Sequence, residues 1–182
     1  FPTRRSSDLL VALKSMEENL DIVEFEENQY INIRKLEMAG IKKQHLRAYG
    51  DAVAEVSAGQ EFFTVKSLRL DGFVSPLDDL GFGDVFYAFL LSQDQRFAKL
   101  PVGKTAIFSS TVMKFNTADF LADYMSRVDV TDVDSMLDDL DRRYGIVMTR
   151  SGLLTHIKDS TLYYDKVLDY IYKDYETYYQ DV

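Results

Sequence analysis

The chain has 182 residues, no cysteine, no tryptophan, histidine only at His45 and His156, and a formal charge of −9. The lack of cysteine excludes a disulfide scaffold, thiolate zinc sites and a cysteine nucleophile, and two histidines cannot build a histidine-rich metal site. An apolar fraction of 46% suits a folded chain, the length suits one domain of about 150 residues or two or three smaller ones, and the acidity argues against a general polyanion binder. No apolar run approaches the roughly 18 residues that cross a bilayer, and the polar start has no apolar h-region, so neither a membrane span nor a signal peptide is predicted and the expected location is cytoplasmic.

Residues 1–9 (FPTRRSSDL) resemble one reading frame of a common sequencing-adapter oligonucleotide. They are set aside as a non-native scar, which implies a fragment of a longer protein. A disordered terminus leads to the same exclusion. Residues 10–182 then carry −10, because Arg4, Arg5 and Asp8 contribute +1.

Residues 10–19 have the character of a helix end. IVEFE and QYINI alternate apolar and polar across a Glu-Asn turn, as paired strands do. A helix is predicted over 42–57, with Leu46, Tyr49, Val53 and Val56 on one face and Gly59 as its stop. Glu61–Val65 is strand-like. Ser75 caps a short helix with Pro76 in its first position, and Gly81 and Gly83 break it. Asp84 caps the next helix, whose apolar face is Val85, Phe86, Phe89 and Leu90. RFAKL, a Pro101-Val102-Gly103 turn and TAIFS form a second hairpin.

Asn116 or Thr117 caps a helix presenting Phe120, Leu121, Tyr124, Met125 and Val128. Thr131 caps another, carrying Val133, Met136, Leu137, Leu140 and Tyr144 and ended by Gly145; Thr149 opens a third, with Leu153, Leu154 and Ile157. TLYYD and DYIYK make a third hairpin, with Asp174 capping a final helix; one continuous helix over 165–180 also fits the 3.6 period. The order helix, short strand, helix, helix, hairpin thus occurs over 41–113 and over 114–182, and its last third over 10–40. The second hairpin strands align at Ile31, Ile107 and Ile171, spaced 76 and 64 residues apart. About 65 residues make a marginal core, so neighbouring repeats would support each other. The first full core is expected to hold Phe62, Leu68, Phe73, Leu80, Phe82, Phe86, Phe89, Leu90, Phe97 and Ile107. The second is expected to hold Phe120, Tyr124, Met136, Leu140, Tyr144, Leu153, Ile157, Tyr163 and Ile171.

SPLDDLGFGDVFYAFLL with RFAKLPVGKTAIFS, and MLDDLDRRYGIVMTRSGLLTHI with LYYDKVLDYIYK, resemble the winged helix–turn–helix superfamily in element order and apolar spacing. The arrangement is also similar to tandem winged-helix repeats in large bacterial proteins associated with RNA polymerase-like modules. The implied fold class is mainly α with short β-hairpins (α+β), built as tandem winged helix–turn–helix repeats at 41–113 and 114–182, after a truncated repeat with linker at 10–40.

Little in the sequence carries chemistry. The run Asp129, Asp132, Asp134, Asp138, Asp139 and Asp141 lacks the closing Glu of a calcium loop, and apolar residues interrupt it at helical spacing; it suits a solvated face with acids near a helix start. Asp78 and Asp79 point about 100° apart on a helix and do not share a site. Gly103-Lys104-Thr105 lacks the upstream glycine of a phosphate loop. Neither histidine sits by a nucleophile elbow, and His156 suits a helix surface better than a metal. No catalytic residue, metal, cofactor or small-molecule substrate is therefore assigned.

Two binding readings remain. Residues 114–182 hold eight basic and fourteen acidic residues, net −6, whereas 41–113 balance at zero. A winged helix that reads DNA puts the helix before its wing into the major groove and needs basic or amide side chains there. Asp84–Gln95 has no Lys or Arg. Thr149–Ser160 has Arg150 and Lys158, after Arg142 and Arg143, while Arg96, Lys99 and Lys104 mark the earlier wing. Neither repeat combines all the parts. Seven of twelve tyrosines lie in 163–179 among few basic residues. Tyr163, Tyr164, Tyr172, Tyr175, Tyr178 and Tyr179 are therefore the protein-interface candidates, since Tyr is enriched at interfaces. The expected role is a non-enzymatic interaction or scaffold module of a larger cytosolic protein with a protein partner, working near DNA or transcription machinery. The alternatives are weak direct DNA binding through the second winged helix and an accessory domain of an enzyme whose catalytic part lies outside this sequence.

Overall fold

The computed structural model describes residues 4–181; of the presumed scar, residues 1–3 lie outside the described part. Helix α1 (Arg4–Glu18) runs through the rest of that segment and leaves Leu9, Leu10 and Val11 exposed. The described chain is α+β, with helices joined by small antiparallel sheets.

The first hairpin, β1 (Ile22–Glu26) and β2 (Gln29–Asn32), pairs Val23 with Ile31. Its turn uses Asn28 at φ +60°, a conformation Asn tolerates better than most residues. Asn32 then caps α2 (Ile33–Met38), its side chain accepting the Arg34 N–H at 2.9 Å. Helix α3 (Lys43–Val56) buries Leu46, Tyr49 and Val53, while Val56 at its end is exposed. The strand predicted through Val65 is a single bridge, Phe63 to Phe108. Thr64 turns the chain into α4 (Val65–Leu70), exchanging hydrogen bonds with Ser67 as a capping box. Ser75 caps as predicted, but Pro76–Leu80 is a 3-10 turn.

Gly83, not Asp84, caps α5 (Asp84–Ser92). In the hairpin of β3 (Ala98–Val102) and β4 (Thr105–Ser109), Pro101 lies inside the strand opposite Ala106, and the turn is Gly103-Lys104. Strand β3 is an edge, with β4 as its one partner among the described strands, and an edge tolerates proline's missing N–H. Asn116 caps α6 (Thr117–Ser126), accepting the Ala118 and Asp119 N–H groups. A short strand, β5 (Val130–Asp132), then leads into α7 (Val133–Asp139), so Asp132 rather than Thr131 is the cap. A π turn, Leu140–Tyr144, extends α7 until Gly145 at φ +71°. Helix α8 (Arg150–Lys158) follows, then β6 (Tyr163–Asp165), β7 (Tyr170–Tyr172) and α9 (Tyr175–Asp181). Residues 165–180 are thus a hairpin and a helix, not one helix. Strand β7 lies between β5 and β6, both antiparallel to it.

The described residues form two compact units: 4–58 with 73–97, and 59–72 with 98–181. These differ from the predicted boundaries, because the segment 41–113 is shared between them. In the first unit, Val23, Leu46, Tyr49, Val53, Phe86, Tyr87 and Leu91 are buried, and the Tyr87 hydroxyl donates to the Leu77 carbonyl at 2.8 Å. In the second, Phe120, Leu121, Met125, Val133, Met136, Leu140, Ile146, Leu153 and Ile171 form one apolar cluster. Phe62 and Ile107, expected in the earlier core, belong to this one. The reason is the Phe63–Phe108 bridge, which ties 59–72 to the β3–β4 hairpin. Tyr163 lies outside the cluster.

Candidate functional site

Helix α8, the hairpin after it and α9 contain Arg150, Lys158 and the tyrosine run that the two binding readings draw on. The Thr149 hydroxyl accepts the Gly152 N–H at 3.1 Å and starts the helix. Leu153 and Ile157, four apart, bury one face, which leaves Arg150, Ser151, Thr155 and Lys158 exposed on the other. In β6 successive side chains point to opposite faces, so the adjacent tyrosines part company.

Tyr164 joins a polar cluster at the start of α8. Its hydroxyl donates to Asp169 at 2.7 Å. The Arg150 guanidinium donates to the same carboxylate and, at 3.2 Å, to Asp134. The Arg150 bond, and then the Tyr164 bond, hold the Asp169 carboxyl below the usual carboxylate range. The same carboxylate raises the Tyr164 hydroxyl. Asp169 presents its oxygens here from a left-handed backbone, φ +63°, at the end of the hairpin turn. One guanidinium between two carboxylates makes this end of α8 net negative.

A cleft of about 480 Å³ lies beside this cluster. Ile157 and Leu162 are buried and Leu154 is half-buried, giving it an apolar floor. Ser151, Thr155 and Tyr164 add to its wall, and the exposed residues Lys158 and Lys166 complete the lining at its rim. Among the described residues no carboxylate lines it.

Tyr163 turns the other way, into an aromatic cluster with α9. Its ring centroid lies 4.4 Å from that of Tyr178 and 5.1 Å from that of Tyr175. Tyr178 also meets the buried Tyr172 at 5.3 Å, and Tyr175 meets Tyr179 at 6.2 Å. Burial raises the Tyr178 hydroxyl. Tyr175 and Tyr179 are 58% and 75% exposed, so this cluster reaches solvent. The six tyrosine candidates therefore form two groups, not one patch.

The other cations predicted for nucleic acid are arranged unevenly. Arg142 pairs with Asp139 at 2.8 Å. Arg143 pairs with Asp71 at 3.3 Å and lies over the Tyr144 ring. Arg96, in the first unit, pairs with Asp51 and Asp94. Lys99, Lys104 and Lys158 are exposed and have no ion pair among the described residues. Each of these arginines is thus neutralised, and the free charge rests on lysines.

The acidic run is dispersed among local tasks. Asp132 caps α7 through the Ser135 N–H, Asp129 pairs with Lys173, and Asp139 accepts from the Tyr124 hydroxyl as well as from Arg142. Burial, and then Asp139, raises that hydroxyl. Among the described residues no group of His, Asp and Glu is placed to hold a metal ion. His45 accepts the Lys42 N–H at 3.2 Å as part of the α3 cap. No described helix is long and apolar enough to cross a membrane.

The sequence offered no sign of Asp134, Asp169 or Lys166 as parts of this site. Asp169 lies 19 residues from Arg150 and reaches it because the β6–β7 turn returns the chain to α8. Comparison with protein-family models, curated proteins and solved structures finds no match.

Proposed function

We propose that residues 114–182 are a winged helix–turn–helix domain that serves as a non-enzymatic protein-interaction module of a cytosolic protein. The order α6, β5, α7, α8, β6, β7, with β7 between β5 and β6, supports the fold part of this reading. The segment before it has the same order, α3, a strand position at Phe63, α4, α5, β3 and β4, and Phe63 joins β4 as β5 joins β7. That supports a tandem arrangement.

One observation carries the functional part. In a helix–turn–helix reader the first residues of the reading helix meet base edges. Here the cation at that position, Arg150, is held by Asp134 and Asp169, and the two carboxylates would face the phosphates. Of Arg150 and Lys158, only Lys158 has no ion pair among the described residues, and it stands at the far end of the helix. A protein surface without that phosphate field suits this face better.

Fluorescence anisotropy with random-sequence and selected DNA duplexes, at two salt concentrations, tests the reading. Binding weaker than about 10 μM near physiological salt, within the non-specific regime, is expected. Any residual binding should fall with salt and show little sequence preference, because phosphate contacts position without specifying. Submicromolar, sequence-dependent binding that Arg150→Ala or Lys158→Ala weakens would instead make α8 a DNA reader.

A further inference from the structure

From the cleft between α8 and the β6–β7 hairpin we infer a docking site for an acidic peptide segment of a partner protein that carries one bulky apolar side chain. The inference rests on the protein-interaction reading and names the partner's chemistry. The cleft has an apolar floor, Leu154, Ile157 and Leu162, and about 480 Å³ of space, within the usual range of ligand sites. An aromatic or leucine side chain from outside would cover that floor and gain the hydrophobic free energy the open cleft forgoes.

Charge decides which segment carries the anchor. The unit that holds the cleft has twelve basic and sixteen acidic residues, net −4. The rim is nonetheless basic: Lys158 and Lys166 are exposed, have no ion pair among the described residues, and face no carboxylate across the cleft. Asp and Glu flanking the anchor complement both ammoniums, whereas a basic segment would meet like charge. Duplex DNA fits less well. It presents a phosphate charge about every 1.7 Å, and a track along α8 would run from these lysines onto Asp134 and Asp169. The Tyr164 hydroxyl already donates its proton to Asp169, so it has no proton left to donate to an incoming carboxylate.

Selection of a random dodecapeptide phage library against the full chain tests this. Enriched peptides are expected to carry Phe, Trp, Leu or Met flanked by Asp or Glu. A synthetic copy should bind the double variant Lys158→Glu/Lys166→Glu about tenfold more weakly or worse, in the upper part of what two exposed ion pairs contribute, because reversal adds repulsion to their loss. Leu154→Asp should weaken binding comparably, while Lys99→Glu on β3, exposed in the same unit and outside the lining of the cleft, should leave it unchanged. Circular dichroism melts keep the test fair, since both lysines are exposed and their reversal should not unfold the chain. The proposal is overturned if nothing is enriched, if enriched peptides are basic or neutral, or if the cleft variants bind as well as the original. Acidic peptides that instead lose binding with Tyr175→Ala or Tyr179→Ala would move the docking site and leave the interaction reading standing. Absence of peptide binding together with submicromolar, Lys158-dependent duplex binding would overturn both.

Discussion

Leu140→Ala probes the packing on which the α8 site rests. Leu140 joins α7 to the π turn, is fully buried, and sits in one apolar cluster with Met136, Tyr144, Leu153 and Ile157. Truncation removes three carbons, about 2.4 kcal/mol of transfer free energy at about 0.8 kcal/mol each. The cavity left behind adds to this, and buried Leu→Ala changes cost about 2–5 kcal/mol in all. Alanine's slight helix-propensity advantage over leucine, a few tenths of a kcal/mol at most, cannot offset that. The expected shift in the melting midpoint is about 8–40 °C, taking roughly 4–8 °C per kcal/mol for a unit near 100 residues. Urea titration followed by circular dichroism measures the free energy, and a calorimetric scan measures the midpoint. A loss below about 1 kcal/mol, the behaviour of a surface residue, would refute the placement of α7 over the α8 core.

Three further outcomes follow from local geometry. Asn116→Ala should cost about 1 kcal/mol in urea melts, since its side chain alone accepts the Ala118 and Asp119 N–H groups at the start of α6; an unchanged midpoint would deny the cap. Gly145→Ala should cost about 1–2 kcal/mol, because φ is +71° there and Lys66, the nearest neighbour of the added carbon at 3.2 Å, is flexible enough to yield; Gly145→Asn should lose less. Asp169 has a depressed folded-state pKa, so its contribution is complete above the unfolded value of about 3.9 and is lost as pH falls through the lower folded value. The stability gap between the unaltered chain and Asp169→Asn should therefore narrow between pH 5 and pH 2.5, and a gap independent of pH would count against the Arg150–Asp169 pair.

How much of this could be foreseen depended on the length of each signal. The first two hairpins were legible, because apolar–polar runs of four or five residues on both sides of a turn suit paired strands; the third, with three-residue strands, competed with one helix over 165–180 that fits the 3.6 period as well. The helices starting after Asn116 and Thr149 were legible from their caps. Six-residue helices were not: α2 and α4 are too short for a 3.6-residue period to stand out, and the aromatic and β-branched run before α4 imitates a strand. Strand β5 was hidden because Thr131 and Asp132 are both good caps; pairing of Thr131 with Ile171 moves the cap one residue on. Core membership followed strand pairing, which no periodicity encodes, so Phe62 and Ile107 were assigned to the earlier repeat. At the site, the cations of α8 and the tyrosines were visible in the sequence. The neutralisation of Arg150 was not, since Asp134 and Asp169 come from elements 16 and 19 residues away. The division of the tyrosines became visible only once β6 placed Tyr163 and Tyr164 on opposite faces.

The state of the Arg150 guanidinium is the point on which the functional proposal turns, and side-chain NMR reads it directly. In ¹⁵N-labelled protein at low temperature the Arg150 Nη–H signals, which report the groups that donate to Asp134 and Asp169 and are assigned by their loss in Arg150→Lys, should be well dispersed and should merge toward the free-arginine position in Asp169→Asn. Addition of a fivefold excess of duplex DNA at physiological salt should leave them in place. A saturable shift of those signals on addition of one duplex and not of a scrambled one would show that Arg150 leaves its carboxylates to read bases, and would contradict the assignment of this face to protein docking.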